Sequence, residues 1–242
     1  MSEGRALSPN ALHDIAENLR QTLGEDIAIV LVGSAARGVW TEASDIDLLL
    51  IGNDRPRVAG SFPGYHIQSA SEAEFLRGLS AGKDFEAWCV RLGVPLYDGG
   101  IWARVKASSA SATWPNPKLK VIHGAYRLFM ATRLSKTGDE SAATEETLYA
   151  LGHVARGILL KAGIFPLSRP ELANQVREAG YPHLADIHER LRKAQNTSVR
   201  VLGMAQRYSK KLLCDLDADT YRTCSQEYRH KRRMRDARRL AH

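Results

Sequence analysis

The stretch Gly33-Ser34-Ala35-Ala36-Arg37-Gly38, followed by Ser44-Asp45-Ile46-Asp47-Leu48-Leu49-Leu50-Ile51, decides how the first part of this chain folds. It follows an apolar run at residues 26–32 (DIAIVLV). The density of Ile and Val in that run predicts a short buried strand. A second buried strand is predicted from Asp45 to Ile51. The glycine-bounded turn therefore joins two neighbouring elements of a small sheet.

Two carboxylates mark the beginning of the second strand. Alternate residues of a strand point to the same face, so Asp45 and Asp47 are expected side by side, while Ile46 and Leu48 face the core. Adjacent carboxylates repel each other unless a cation lies between them. Mg²⁺ takes one or two carboxylates together with waters and substrate phosphates. Asp45 and Asp47 are therefore candidate catalytic and metal-binding residues for Mg²⁺, with Mn²⁺ as the alternative.

The turn supplies candidate phosphate ligands. Gly33 allows backbone N–H groups to approach phosphate oxygens closely, and a helix that begins there adds its dipole. Ser34 offers a hydroxyl, Arg37 offers a fork of donors, and Gly38 relaxes the turn. Ser44 precedes the first carboxylate and completes this nucleotide-binding set. The expected ligand is a nucleoside triphosphate, with ATP as the first choice. The turn lacks the spacing of a P-loop.

The same residues carry a resemblance to a known family. Gly33-Ser34-Ala35-Ala36-Arg37-Gly38 with Ser44-Asp45-Ile46-Asp47-Leu48 resembles the signature of the polymerase-β-like nucleotidyltransferase superfamily, and most closely its minimal, MNT-type branch (roughly GSxARGxAxxxSDIDLLV). The looser similarity extends over about residues 10–105. The resemblance implies an α/β (α+β) nucleotidyltransferase domain with a short mixed sheet over residues 1–106. It also implies Mg²⁺-dependent transfer of a nucleoside monophosphate from an NTP.

One feature of that family is missing. Its members usually have a third carboxylate on a later strand, which acts as base and metal ligand. The third predicted strand, residues 65–69 (YHIQS), contains no acid, and His66 lies where the acid is expected, with Gln68 on the same face. His66 is either a catalytic base, since imidazole exchanges protons near neutral pH, or a neutral structural residue. Asp84 and Glu86 are expected on the solvent side of a helix.

The remainder of the chain reads as helical. Residues 107–117 (ASSASATWPNP) are small, polar and proline-containing and predict a linker. Five helical stripes predict an all-α helical bundle domain at residues 118–226, followed by a basic tail at 227–242. This region is similar in architecture to the helical domain of aminoglycoside nucleotidyltransferases.

Two helix starts have the pattern of a capping box. Ser71 with Glu74, and Ser168 with Glu171, each place a serine three residues before a glutamate at the beginning of a helical stretch. In such a box, each side chain bonds to the backbone N–H of the other residue. The pattern predicts that both helices begin at these serines.

The charge is unevenly distributed. Residues 1–114 contain 10 Lys and Arg against 14 Asp and Glu, whereas residues 115–226 contain 17 against 11 and residues 227–242 contain 7 against 2. A basic second half favours a polyanionic partner such as RNA, and Tyr221 and Tyr228 are candidates for stacking on bases.

Four readings of the function stay open. The acceptor is an RNA end, a protein hydroxyl, or an aminoglycoside-type small molecule, although the basic second half counts against the last. Alternatively, the protein is a weak or catalytically silent nucleotide- or RNA-binding module, since the third carboxylate is missing.

Composition excludes several other classes. No apolar run approaches the roughly 18–20 residues of a membrane span, and no membrane partner is expected. The first twenty residues lack the apolar core of a signal peptide. Three cysteines without a CxxC spacing argue against a disulfide scaffold or a zinc site and favour a cytoplasmic location.

Overall fold

The chain forms two compact units, Met1–Pro115 and Asn116–His242. The structure, a computed structural model, describes residues 9–40, 45–58, 62–193 and 197–240. The elements of the first unit are α1 (Pro9–Leu23), β1 (Ile27–Val32), α2 (Gly33–Ala36), β2 (Ile46–Gly52), β3 (Tyr65–Ser71), α3 (Glu72–Ser80), α4 (Asp84–Leu92), β4 (Val94–Asp98), α5 (Ile101–Ser108) and a 3-10 turn (Ser109–Ser111). Those of the second are α6 (Pro117–Lys136), α7 (Glu140–Lys161), α8 (Arg169–Glu178), α9 (Pro182–Lys193) and α10 (Val199–Leu240).

The first unit is built on a four-stranded mixed sheet in the order β3-β2-β1-β4. β1 pairs antiparallel with both β2 and β4, while β2 pairs parallel with β3. Every residue of β1 is buried, as its apolar sequence predicts. Ile46, Leu48 and Leu50 of β2 join Ala16 and Leu19 of α1 in one core cluster. The predicted mixed sheet and the inward direction of Ile46 and Leu48 are confirmed.

The third strand leads directly into a capped helix. The Ser71 hydroxyl accepts a hydrogen bond from the Glu74 N–H at 3.2 Å, and the Glu74 carboxylate accepts one from the Ser71 N–H at 2.9 Å. Both Phe75 and Leu79 of α3 are buried. The predicted capping box is therefore confirmed.

The sequence reading missed α5, and the predicted linker at 107–117 begins inside it. Ile101, Trp102 and Val105 of this helix are buried, which explains why the chain stays helical here. The Asp98 carboxylate accepts hydrogen bonds from the N–H groups of Gly100 and Trp102 at 2.9 and 2.8 Å. An aspartate before an apolar run was the available signal.

The second unit consists of the five helices that the stripes predict. Its core includes Leu151, Leu159, Leu172, Leu184 and Leu213, all at most 1% exposed. α10 changes direction at Asp217, whose backbone is not helical (φ −163°, ψ 93°). The Asp217 carboxylate accepts hydrogen bonds from the N–H and hydroxyl of Thr220 at 2.9 and 2.6 Å, so it caps the second part of this helix. α10 then continues to Leu240, through most of the segment predicted as a tail.

Candidate active site

Asp47 lies where three strands bring polar groups together. It is in register with Val32, the last residue of β1, and with His66, the second residue of β3. β2 is the central strand of these three, so a side chain near its beginning is flanked on both sides. The antiparallel β1 therefore ends, and the turn at Gly33 begins, at the end of the sheet where the parallel strands β2 and β3 begin.

His66 contacts Asp47 directly. The distance from His66 Nδ1 to Asp47 Oδ1 is 3.0 Å, and the two side chains are 58% and 35% exposed. An ionised carboxylate only accepts hydrogen bonds, so the contact requires a proton on His66 Nδ1, which leaves Nε2 as the acceptor atom in the neutral form of the ring. The structure thus brings together two residues that the sequence placed on two different strands, because these strands pair in the sheet.

Gly33 lies against the other side of the same carboxylate. Its backbone has φ +72°, a conformation that favours glycine, and a Cβ at this position would collide with Asp47 Oδ2. A side chain at residue 33 and the observed position of Asp47 are therefore incompatible. The glycine serves two purposes here, since it permits the turn and it leaves room for the carboxylate.

The turn after Gly33 differs from its prediction. A helix with a dipole was expected to begin at this turn, whereas α2 begins at Gly33 and ends after a single turn, at Ala36. The Gly38 N–H bonds to the Ala35 carbonyl at 3.1 Å, and Gly38 has φ +69°, which ends the helix. A single turn has almost no macrodipole, so any anion binding here depends on individual N–H groups rather than on the dipole.

The other predicted nucleotide ligands lie on or beside this turn. Ser34 is half-buried within α2, and its carbonyl accepts from the N–H groups of Arg37 and Val39, at 3.2 and 3.1 Å. Arg37 is half-buried at the end of the turn. Ser44 lies outside the described residues.

Asp45 immediately precedes β2 and is exposed, while Asp47 is half-buried. Among the described residues, no group of three or more His, Cys, Asp and Glu side chains is arranged to hold a metal ion. Two carboxylates spaced two residues apart fit Mg²⁺ or Mn²⁺ that receives its other ligands from substrate phosphates and water.

The next acids along the chain are less exposed than predicted. Asp84 and Glu86 of α4 are half-buried rather than solvent-facing. Burial of Cys89 on the same helix raises the pKa of its thiol, and the negative charges of Glu86 and Asp47 add to the shift. The Glu86 carboxylate lies against Gly78 of α3, where an added Cβ would collide with it. The spacing of acids along the sequence carried no signal for this.

The tyrosines proposed for base stacking have another role. Tyr221 is 9% exposed, and its ring centroid lies 5.7 Å from that of Phe129. Burial raises the pKa of Tyr221 to about 12. Tyr228 also packs on Phe129, with 5.0 Å between the two ring centroids. The stacking prediction is wrong for Tyr221, because its ring faces are covered by the core.

Within the described part of the chain, no helix is long and apolar enough to cross a membrane. The longest, α10, has a strongly charged sequence.

Comparison with known proteins adds a family to this geometry. Residues 12–92 match the family described as nucleotidyltransferase domain, which covers β1, α2, β2 and β3. No curated protein matches the chain significantly. Among solved structures, a nucleotidyltransferase-like protein from Exiguobacterium sibiricum is similar at 20% identity and a TM-score of 0.44, over 83% of this chain and 72% of that one.

Proposed function

Residues 12–92 form a nucleotidyltransferase domain of the polymerase-β-like superfamily, and from this premise we propose that the protein transfers a nucleoside monophosphate from an NTP, with ATP as the first candidate, to a hydroxyl acceptor. Pyrophosphate is the second product. The observation that carries the proposal is the position of Asp47, whose carboxylate lies between the Gly33 turn and His66.

Asp45 and Asp47 hold the divalent cation in this proposal. Asp47 Oδ1 accepts the hydrogen bond from His66. Oδ2, which lies on the side of Gly33, is therefore the oxygen of Asp47 that is proposed to bind the cation. When bound, Mg²⁺ or Mn²⁺ neutralises phosphate charge and stabilises the leaving pyrophosphate. Gly33, Ser34, Arg37 and Gly38 bind the β- and γ-phosphates through backbone N–H groups, a hydroxyl and a guanidinium. Ser44 belongs to the same proposed set.

His66 acts as the general base. The acceptor hydroxyl oxygen forms a bond to the α-phosphorus. The bond between that phosphorus and the oxygen bridging the α- and β-phosphates breaks, and its electron pair leaves with pyrophosphate. His66 Nε2 takes the hydroxyl proton. Asp47 accepts the Nδ1 hydrogen bond, which fixes the ring and stabilises the imidazolium that forms. In this reading the Asp47–His66 pair replaces the third carboxylate.

A second candidate is a silent module that binds nucleotide without turnover. It is favoured by the same hydrogen bond, because His66 occupies one oxygen of Asp47 that a metal-binding carboxylate otherwise offers. Three acceptor classes remain for the active enzyme: an RNA end, a protein hydroxyl and an aminoglycoside-type small molecule. RNA or a protein is preferred because the second unit is basic.

Label transfer tests the proposal. The purified protein receives each α-³²P NTP with Mg²⁺ and a cell extract, and the label is then measured in the RNA, protein and small-molecule fractions. We expect transfer by the wild type and a loss of at least about 100-fold in Asp45→Asn/Asp47→Asn, since even outer-shell partners of metal ligands typically contribute 10–100-fold. NTP binding without transfer would replace the proposal with the silent module.

Two substitutions at one position test the role of His66. His66→Gln removes the base but retains a polar side chain, whereas His66→Asp introduces a carboxylate in register with Asp47. If His66 is the base, the glutamine variant loses about 100-fold or more in rate while the aspartate variant retains measurable transfer. Equal rates in the wild type and the glutamine variant would assign His66 a structural role only.

A further inference from the structure

The last part of α10 has a charge pattern unlike the rest of that helix. We call residues 228–240 (YRHKRRMRDARRL) the basic segment. Its sequence has one acid, Asp236, and seven basic residues: Arg229, Lys231, Arg232, Arg233, Arg235, Arg238 and Arg239. The helix continues through all thirteen positions. At 1.5 Å per residue, the basic positions follow one another along roughly 15 Å of helix.

Aromatic packing fixes the beginning of the basic segment to the bundle. Tyr228 packs on Phe129 of α6, with 5.0 Å between the ring centroids. One residue earlier, Glu227 accepts a hydrogen bond from the Tyr126 hydroxyl at 2.9 Å. Lys231 Nζ lies 5.8 Å from the centroid of the Tyr126 ring. These contacts hold the segment in helical form where it leaves the core.

Two basic residues at the beginning of the basic segment, Arg229 and Lys231, present their charge to solvent. Arg229, His230 and Lys231 are exposed. Among the described residues, neither Arg229 nor Lys231 forms an ion pair, whereas Arg222, two turns earlier, pairs with Asp219 at 2.9 Å. Guanidinium and ammonium groups without an acidic partner can attract an external anion.

The segment also lacks the apolar stripe that a membrane surface or a partner helix requires. Tyr228 is used in the internal cluster, and Met234, 50% exposed, is flanked by arginine in the sequence. An amphipathic membrane helix presents a wide apolar face opposite its basic one. Basic residues distributed along a helix without that face suit a partner that offers repeated negative charges, which is the chemistry of a nucleic-acid backbone.

We propose that the basic segment binds the phosphate backbone of single-stranded RNA without sequence preference. The internal packing of Tyr221 and Tyr228 supports a binding mode that depends on phosphates rather than on base stacking. The choice of RNA rests on the proposed function, because an RNA end offers hydroxyl acceptors to a nucleotidyltransferase. RNA binding itself requires neither NTP nor metal, so it is measured separately from transfer.

The test compares two variants that lose the same charge. In the first, Arg229, Lys231, Arg232 and Arg233 are changed to Gln. In the control, four exposed basic residues from the beginning of the same helix are changed to Gln: Arg200, Arg207, Lys210 and Lys211. Fluorescence anisotropy with a labelled mixed-sequence RNA of about 20 nucleotides gives the affinity at several salt concentrations, and far-UV circular dichroism verifies folding.

We expect the logarithmic salt dependence of the wild-type affinity to be steep. In the first variant, the slope of log affinity against log salt concentration should be smaller by about 3. Four phosphate contacts are lost, and each contact on a single strand contributes about 0.7 to this slope. The affinity at about 0.1 M salt should fall by at least about 100-fold. The control variant should retain most of the wild-type slope and affinity, and Asp45→Asn/Asp47→Asn should bind RNA as the wild type does.

Two results would overturn the inference. Equal weakening in the two Gln variants would mean that RNA responds only to the net charge of the unit. The second result concerns vesicles made of equal parts phosphatidylserine and phosphatidylcholine. If the protein binds these vesicles more tightly than it binds RNA, and if added RNA does not release it, the segment would be assigned to a membrane surface. RNA binding that depends on the basic segment, in a protein without transfer activity, would support the inference while refuting the proposed enzyme.

Discussion

The two units use their polar side chains in different ways. In the first, Asp47 on β2 meets His66 on β3 and the Gly33 turn after β1, so three strands converge on one carboxylate. In the second, His153 and His188 each have a buried Nδ1 without a hydrogen-bond partner among the described residues. A pleated sheet fixes which side chains meet across strands, whereas a helical stripe specifies only a buried face. Chemistry is therefore easier to recognise in the first unit.

The units also differ in charge. Residues 1–115 contain 10 basic and 14 acidic residues, whereas residues 116–242 contain 24 and 13. In the proposals above, the acidic residues of the first unit bind cations, and the basic residues of the second bind phosphates. The predictions that follow test whether this division of roles holds, beginning with the largest expected change.

Matched core truncations should separate stability from chemistry. Leu50 of β2 and Leu151 of α7 are both fully buried. Leu50→Ala and Leu151→Ala should each lower the free energy of unfolding by about 2–5 kcal/mol. Because Leu50 lies on the strand that positions Asp47, only Leu50→Ala should also weaken NTP binding, as measured by calorimetry on folded protein. An equal loss of NTP affinity in folded Leu151→Ala would contradict the assignment of NTP binding to the first unit.

Acid should destabilise the second unit through His188. Burial, together with the positive charges of Arg156 and Arg192, lowers the pKa of His188 from 6.5 to about 4. In the unfolded chain, His188 takes up a proton near pH 6.5, whereas in the folded protein it does so only near pH 4. The resulting contribution to folding stability is therefore unaffected above pH 6.5 and is lost as the pH falls from 6.5 to 4. At pH 4.5 the loss is about 2–3 kcal/mol, from 1.36 kcal/mol per pKa unit.

Urea unfolding of wild type and His188→Leu at pH 7 and pH 4.5 measures this effect. The leucine variant should lose about 2–3 kcal/mol less than the wild type on acidification. Leu184→Ala, on the same helix α9, serves as the control because it removes buried volume without removing a titrating group. It should lower stability by similar amounts at both pH values. An unchanged pH dependence in His188→Leu would place the acid sensitivity elsewhere.

The site could be predicted in part because its main features are local. Asp45 and Asp47 belong to one strand, and the glycine turn immediately follows the strand that pairs with it. The hydrogen bond between Asp47 and His66 could not be predicted in the same way. These residues are 19 apart in sequence, and they meet only because β2 and β3 pair in a particular parallel register. Resemblance to a family suggested the position of His66, but no pattern in the sequence gives that register.

Other features depend on long-range packing. The burial of Tyr221 follows from the approach of Phe129 on another helix, and the sequence around Tyr221 was equally consistent with an exposed stacking residue. The change of direction in α10 had a local signal, because Asp217 precedes Thr220 by three residues in the manner of a helix cap. The same kind of signal, Asp98, preceded the missed helix α5.

Two glycines with the same backbone requirement isolate the role of the turn. Gly33 and Gly24 have φ +72° and +91°, but a Cβ has open space at Gly24 and collides with Asp47 at Gly33. Gly24→Ala should cost about 1–2 kcal/mol of stability through backbone strain. Gly33→Ala should cost at least as much and should also reduce transfer by about 100-fold, since misplacing a reacting group by 1 Å has that effect. If both variants reduce transfer equally, Gly33 has no special relation to Asp47.

The smallest expected difference concerns the two capping boxes, one in each unit. Glu74 accepts a hydrogen bond from the Ser71 N–H at 2.9 Å, and Glu171 accepts one from the Ser168 N–H at 3.2 Å. Ser71→Ala and Ser168→Ala should each lower the free energy of unfolding by about 1 kcal/mol, the usual contribution of a serine cap. Urea unfolding measures both.

The two serines should differ in their effect on catalysis. Ser71 ends the strand that carries His66, so Ser71→Ala should also lower the transfer rate slightly, while Ser168→Ala should leave it unchanged. A larger catalytic effect from Ser168→Ala would show that the helical unit contributes to the chemistry, and the contrast between the units would then be one of architecture alone.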